Sequence, residues 1–432
     1  MRIKRAVRAG RRLAQGGAYA LIMIALCSCH KQINSSDQES DEWCRVAVIT
    51  GPGGKGIGPA DFNASYLGVI APVKPGERAV FQAHFPHARY MGLMLYDQDF
   101  RAIDAIRDYE VVPAQGVNPF VPGVSRSSED LGEFEITVLM DDPPAGPRPA
   151  NTMYAGRAQD GTPNRTVVLA YRIYLADQGL GFKDSHPLSV YGGVPGPHFL
   201  LRDKNGAAYC PDKVSTQWRR ARIMGSILWA NKELLANPYE VISKAQNPPV
   251  WVNSYSRENR RDNTVVGNDD TIYLETPVSR QFGELLVLRW RAADTPVETF
   301  YGAPFPPAPD MRYYSLSFAY VKFADVSKVV TEKTVADVEV PVLPDGTRQL
   351  VIGFKGMARP EVVPAEQWVG LAQERGIIVM RNIMIRAGYE GDLGWLPAGE
   401  IKGEEDKFTP GGVYCSVEEF TQNPDLGLER RL

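Results

Sequence analysis

The chain has 432 residues, of which 44% are hydrophobic and 23% charged, an ordinary globular composition with length for two sizeable cores. Lys and Arg number 48 against 51 Asp and Glu, but Arg2, Lys4, Arg5, Arg8, Arg11 and Arg12 all fall in the first 29 residues, with no acidic group among them. The rest carries 42 basic against 51 acidic residues, a formal −9, which excludes a basic surface for nucleic acid.

The basic start runs into the apolar stretch Ala18 to Leu26. About ten apolar residues fall short of the roughly 20 a transmembrane helix needs, so residues 1–29 read as a secretory signal. Its end, Leu26-Cys27-Ser28-Cys29, resembles the bacterial lipobox, in which a small residue precedes the cysteine that becomes lipidated. The resemblance makes Cys29 the lipidation site. With His30 rather than Asp after it, outer-membrane sorting in a Gram-negative cell is implied. The membrane is then a partner through a lipid anchor, and the address is extracytoplasmic, outer rather than inner membrane. A plain secretory signal or an uncleaved anchor is the alternative. Residues 30–43, polar and acidic from Gln32 to Glu42, cannot bury a core and read as a disordered tether.

Cys44, Cys210 and Cys415 remain in the body, enough for one disulfide in an oxidising compartment. All three pairings are open. Context favours Cys210 with Cys415, since each follows a tyrosine in a loop-like stretch at a domain margin.

A strand, Arg45 to Thr50, opens the body, followed by the turn Gly51-Pro52-Gly53-Gly54-Lys55-Gly56-Ile57-Gly58. A phosphate loop requires Ser or Thr after Gly-Lys and then a helix; Gly56 and Pro59 make this an ordinary loop. Beyond it the two halves echo one another. Tyr66-Leu67 and Gly76-Glu77 recur as Tyr273-Leu274 and Gly283-Glu284, both at an offset of 207. The strand Arg89-Tyr90-Met91-Gly92-Leu93-Met94-Leu95-Tyr96-Asp97 recurs as Arg312-Tyr313-Tyr314-Ser315-Leu316-Ser317-Phe318-Ala319-Tyr320, at 223. Asp108 to Val111 echoes Asp337 to Val340, Glu133 to Met140 echoes Gln349 to Phe354, and Thr166 to Tyr174 echoes Gly376 to Met384. Short strands between Gly/Pro/Asp turns, in the same order in both halves, predict a mainly β protein. Its body is two related antiparallel β-sandwich, jelly-roll-like domains from an internal duplication. The expected divisions are 44–205 for the first domain, 206–250 for a helical connector, 251–395 for the second domain and 396–432 for a C-terminal tail. The connector follows from helical spacing between Lys213 and Ala236, and a shorter helix is expected over Ala365 to Glu374.

The run Asn268-Asp269-Asp270-Thr271-Ile272-Tyr273 followed by Arg312-Tyr313-Tyr314-Ser315 resembles a pattern in secreted bacterial proteins built of two adjacent domains of unknown function. Asn63-Ala64-Ser65-Tyr66 with Arg89-Tyr90 is similar to it. Asn151-Thr152-Met153-Tyr154-Ala155-Gly156 and Leu169-Ala170-Tyr171-Arg172-Ile173-Tyr174 resemble the companion domain's Asn-Trp-Leu-Pro and Leu-x-Leu-Arg-x-Tyr motifs, with Thr-Met-Tyr in place of Trp-Leu-Pro. The resemblance covers most of residues 60–390. It implies a β-sandwich and an extracytoplasmic life, and no activity.

Chemistry-bearing residues concentrate around the first Arg-Tyr strand. His84 and His87 flank Pro86, whose bend could bring both imidazoles together, and with Asp97 and Asp99 they could hold a metal ion. No other cofactor motif is present. Asp97, Asp99, Asp104 and Asp108 form an acidic cluster of the kind that glycoside hydrolysis uses, and that turns or calcium loops also use. Arg89 and Arg172, with Arg312 and Arg381 as counterparts, sit in apolar strands and require partners, expected within their own halves at Asp97 or Asp108 and at Asp337 or Glu339. Because Tyr96-Asp97 becomes Ala319-Tyr320 in the second half, the ligand site is expected at His84, His87, Arg89, Tyr96, Asp97 and Asp99. The expectation is an anchored binding or envelope-associated module for a small molecule or glycan. A secreted hydrolase or metal-dependent enzyme using the first domain is the alternative.

Overall fold

A computed structural model describes residues 43–50, 61–126, 131–176, 193–211, 244–253, 267–296, 305–307, 309–322, 328–397, 399–401 and 409–426. The signal segment with Cys29, residues 30–42 of the tether, the glycine-rich turn 51–58 and residues 212–243 of the expected helical connector lie outside the described residues.

The first half supplies β1 (Cys44–Arg45), β2 (Ala47–Thr50), β3 (Ala64–Pro72), β4 (Arg78–His84), β5 (Ala88–Tyr96), β6 (Ala102–Arg107), β7 (Glu133–Leu139), β8 (Thr152–Tyr154), β9 (Thr166–Ala176), β10 (His198–Arg202) and β11 (Ala208–Tyr209). They form one sheet in the order β2-β3-β9-β5-β6 and another in the order β1-β10-β4-β7-β8, with β11 also paired to β10. The second half supplies β12 (Val252–Asn253), β13 (Thr271–Ser279), β14 (Leu285–Arg291), β15 (Met311–Lys322), β16 (Lys328–Ala336), β17 (Thr347–Gly353), β18 (Trp368–Gly370), β19 (Arg375–Ile385), β20 (Gly399–Glu400), β21 (Gly411–Cys415) and helix α1 (Val417–Gln422). Its sheets run β20-β12-β13-β19-β15-β16 and β18-β17-β14-β21. Among the described residues all strand pairings are antiparallel except β7 with β8 and β17 with β18, one short parallel edge strand in each half.

Period-two alternation explains how each long strand is buried on both faces. Along β9, Val167, Leu169, Tyr171 and Ile173 enter the core between the first two sheets, where Phe81, Phe134 and Phe199 meet them. Val168, Ala170 and Tyr174 belong to clusters on the opposite face. In β19, Ile378 and Met380 enter the second core beside Leu286, Leu288 and Ile352, and Ile383 faces away. The two outward faces meet in a third cluster that joins Ala64, Tyr90 and Tyr174 to Tyr313, Ala336 and Ile383. Within it the Tyr174 ring lies 5.6 Å from Tyr90 and 5.7 Å from Tyr313.

Four local expectations are corrected. The disulfide joins Cys44 to Cys210, with Cα atoms 5.4 Å apart, and Cys415 is a buried free thiol. The reason lies in β10: β1 and β11 occupy successive stretches of it, Cys44 facing Phe199 and Tyr209 facing Leu201, which places Cys210 beside Cys44. Cys415 instead pairs with Leu285 in the other half. The helix expected over Ala365 to Glu374 is only a 3-10 turn, Ala365–Gln367, because Trp368 and Val369 continue as β18 against Val351 and Ile352. Residues from 396 onward are not a loose tail: β21 extends the β14 edge, and α1, capped by Ser416 and buried at Phe420, closes it. At the start of the expected connector, Ala208–Tyr209 is strand β11. Among the described residues no helix is long and apolar enough to cross a membrane.

Candidate functional site

The six residues expected to form a site do not come together. His84 and His87 precede β5, whereas Tyr96, Asp97 and Asp99 lie at or beyond its far end, and a nine-residue strand separates its ends by about 27 Å. That separation removes the expected metal and ligand set. His84 Nε2 instead lies 3.2 Å from the Glu133 carboxylate on the neighbouring strand, while His87 is buried. Asp97 shapes the β5–β6 turn: its carboxylate accepts hydrogen bonds from the backbone N–H of Asp99 and Arg101 at 2.9 and 3.0 Å, and of Gln159 at 3.2 Å. Asp99 is exposed. Asp104 accepts both contacts from Arg148, at 2.9 and 3.0 Å, and one from the Tyr154 N–H. Tyr96 donates to the Gly267 carbonyl of the other half at 2.5 Å.

The buried arginines find partners across the two halves rather than within them. Arg89 Nη1 lies 2.9 Å from Asp337, and Arg312 Nη1 lies 3.4 Å from Asp108, so each half lends an arginine to the other's 3-10 turn. Tyr90 donates to Asp270 at 2.9 Å, and Tyr313 donates to Asp61 at 2.9 Å, in the same reciprocal sense. Arg312 also lies 3.9 Å over the Phe305 ring. Burial, reinforced by the Asp270 carboxylate, pushes Asp108 up to about 7 in spite of Arg312, and burial lowers Arg312. Arg172 is held over the Tyr66 and Tyr96 rings, and Arg381 over Tyr273 while donating to Ser317 Oγ at 2.6 Å. These contacts dock the halves.

A vacancy exists in the second half. Trp290, Arg291, Tyr314, Met380, Asn382 and Tyr389 line a small recess of about 10 Å³, the room of about one water molecule. Three strands aim polar side chains into it. Trp290 follows Leu286 and Leu288 on the core face of β14, and Tyr314 and Asn382 face one another in register across β15 and β19. The three residues are 3%, 1% and 3% exposed. Trp290 Nε1, the Tyr314 hydroxyl and Asn382 Oδ1 all lack a hydrogen-bond partner among the described residues. The Trp290 indole stands close enough to the Tyr314 oxygen to lower its pKa as a hydrogen bond does. Burial nonetheless raises the Tyr314 phenol, against the Arg348 guanidinium 5.6 Å from its ring, and keeps it neutral. Gly391 lets the loop close over the opening, since a Cβ there would stand 2.6 Å from the Tyr389 ring.

In the first half the corresponding cross-strand pair is Met91 with Ile173, both in the apolar core. Asparagine and tyrosine thus stand where the similarly placed strand pair of the first half carries two apolar residues, and burying unpaired polar groups there is costly. The signal was present in the sequence: Ile378, Met380 and Asn382 share one face of a strand, and the last breaks the apolar set.

No protein-family model matches this sequence, and no curated relative does. An uncharacterised protein from Burkholderia cenocepacia, of known crystal structure, is similar over 92% of this chain and 88% of its own, at 14% identity and a TM-score of 0.50. The VPA0106 protein from Vibrio parahaemolyticus aligns over 80% of this chain and 89% of its own, at 13% identity and a TM-score of 0.37. The first likeness is one of fold alone.

Proposed function

We propose that the protein is an outer-membrane-anchored lipoprotein whose body binds a small molecule or glycan in the recess between β14, β15 and β19. One observation carries this reading: Trp290, Tyr314 and Asn382, three buried side chains each with a polar atom that lacks a hydrogen-bond partner among the described residues, surround one small recess at a place where the first half is apolar. Buried polar atoms are ordinarily satisfied, and those that are not mark places awaiting a partner. The anchor rests on the lipobox-like Leu26-Cys27-Ser28-Cys29, and the Cys44–Cys210 disulfide supports an oxidising compartment.

The body in this reading is a duplicated pair of jelly-roll-like sandwiches, 44–205 and 251–395, joined by the segment 206–250. The matching strand orders and the two parallel edge strands support the duplication. Kinship with secreted two-domain proteins of unknown function fits the same plan. The first domain then acts as scaffold and the second as binder.

A thermal-shift screen with neutral sugars, polyols, amino acids and organic acids tests the proposal. At least one class should raise the melting temperature of the wild type and leave that of Asn382→Leu unchanged. If no class shifts the wild type, or shifts both proteins equally, the recess is not the binding site. Membrane fractionation of Cys29→Ala tests the anchor separately, and its release into the soluble fraction is expected.

A further inference from the structure

Among the described residues seven large apolar side chains are exposed, and four of them, Tyr109, Val112, Val117 and Val121, fall on the turn and loop that follow β6. Apolar residues scattered singly over a surface are ordinary, but a cluster on one loop marks a contact. The segment 111–124 reads Val-Val-Pro-Ala-Gln-Gly-Val-Asn-Pro-Phe-Val-Pro-Gly-Val, without a charged residue, in a chain of which 23% is charged. Within it Val117 is 71% exposed and Val112 50%.

The loop is held firmly. The buried Asn118 side chain donates to the carbonyls of Asp108 and Val111, both at 2.7 Å, and accepts from the Phe120 N–H at 2.8 Å. Asn151, in the left-handed conformation at a φ of 53°, accepts from the Val112 N–H at 2.8 Å and donates to the Val112 carbonyl at 2.7 Å. The Ala114 N–H bonds to the Glu133 carbonyl at 2.8 Å, and the Phe120 ring is buried beside Phe85 and Phe305. With its backbone fixed and its valines outward, the loop meets a partner at little ordering cost. The counterpart in the second half, 340–346, exposes Val342 as its one large apolar side chain and carries Asp345.

The chain ahead of the body decides which partner lies within reach. From Cys29, the proposed lipid attachment, residues 30–42 lead to Trp43, a span of at most about 50 Å when extended. Cys44 faces Phe199, Phe199 faces Phe81, and Phe81 faces Ile136, so Trp43 stands three strand spacings and about four residues from Glu133, where the loop packs, or about 20 Å. The turn Asp203 to Gly206 closes the opposite end of the same sheet, where Arg202 faces Arg78, and it is equally within reach. The tether therefore sets no orientation, and surface chemistry must. The chain beyond residue 29 carries a formal −9, 42 basic against 51 acidic residues, and the far turn presents Asp203 and Lys204, whereas the loop has no ion to desolvate. Resting on the lipid-anchor reading above, we infer that the loop 111–124 lies on the phospholipid surface and orients the body there, as a second attachment beside the acyl chain.

The test uses the full lipidated chain in phosphatidylcholine vesicles, in a Cys415→Ser background, with a fluorophore on Val117→Cys or, as the control at the far turn, on Asn205→Cys. Both positions are exposed, so neither substitution disturbs the packing. Phospholipid carrying a nitroxide on its acyl chains should quench the label at 117 several-fold more than the label at 205. Adding Val112→Asp and Val121→Asp should abolish that difference while the protein still floats with the vesicles. Equal quenching at the two positions in the unaltered loop overturns the inference and leaves the lipid anchor standing. So does a label at 117 that is shielded from a water-soluble quencher but untouched by the nitroxide, with a doubled particle mass, because a second copy then covers the loop. If the chain does not float with the vesicles at all, the anchor reading fails and this inference with it.

Discussion

Replacing Asp108 by asparagine should stabilise the protein at alkaline pH although it breaks an ion pair. Asp108 is fully buried 3.4 Å from Arg312, with the Asp270 carboxylate near enough to oppose its ionisation, and its folded-state pKa stands at about 7 against 3.8 for the ordinary group. A carboxyl whose pKa is raised on folding binds its proton more tightly in the folded state. Its contribution is therefore fully present below the unfolded pKa and lost as pH rises through the folded one. Integrating that linkage from about pH 5 to about pH 8 gives a loss of roughly 2 to 3 kcal/mol from this single group. The amide of the Asp108→Asn protein does not titrate. That variant should lie close to the wild type near pH 5 and exceed it by that amount near pH 8, because removing the charged form from a dry site outweighs the lost attraction. Urea unfolding of both proteins at constant ionic strength across this range measures the difference directly. Parallel stability profiles, or a variant less stable near pH 8, would refute the claim that desolvation outweighs the Arg312 attraction.

The reciprocal pair is the contrasting case: Arg89→Met leaves the Asp337 carboxylate buried 2.9 Å from the vacated position and should cost about 3 to 5 kcal/mol, and Arg89→Met with Asp337→Leu should recover most of it in the same unfolding assay. Cys44→Ser should lower stability by about 2 to 5 kcal/mol, since the bridge closes a separation of 166 residues, whereas Cys415→Ser should leave the bridge intact in non-reducing peptide maps. Burial, with Glu419 and Glu284 nearby, pushes the Cys415 thiol up to about 11, so iodoacetamide near neutral pH should label it only after unfolding. Labelling of the native protein at the rate of a free thiol would contradict that placement.

Much of the strand plan is legible in the sequence because it rests on local pattern. Runs such as Arg89 to Asp97 and Thr166 to Tyr174 are apolar, free of proline and bounded by turn residues, and they form β5 and β9 within two residues at either end. Where tertiary pairing decides, local pattern fails. Ala365 to Glu374 contains good helix formers, yet Trp368 and Val369 gain more as an edge strand on β17. The disulfide depends on two chain segments sharing one edge of β10, which no spacing reveals. The arginines declare their need for partners in the sequence, but the partners lie in the opposite halves, because the outward sheet faces pack on each other. The recess escapes notice for a related reason. The halves differ visibly at the strand termini, where Tyr96-Asp97 becomes Ala319-Tyr320, whereas the difference that matters, Met91 against Tyr314 and Ile173 against Asn382, sits mid-strand and needs the register to be seen.

That central difference gives the most direct measurement. The double variant Tyr314→Met and Asn382→Ile installs in the second half the apolar pair of the first, and removes two of the three unpaired polar atoms. Its melting temperature and its response to whichever ligand class shifts the wild type in the thermal-shift screen should be measured together. A binding recess predicts a protein at least as stable as the wild type, relieved of groups that each cost about 1 to 3 kcal/mol, that no longer responds to ligand. A variant that still binds, or one that loses stability because Tyr314 and Asn382 serve the core, would contradict the account.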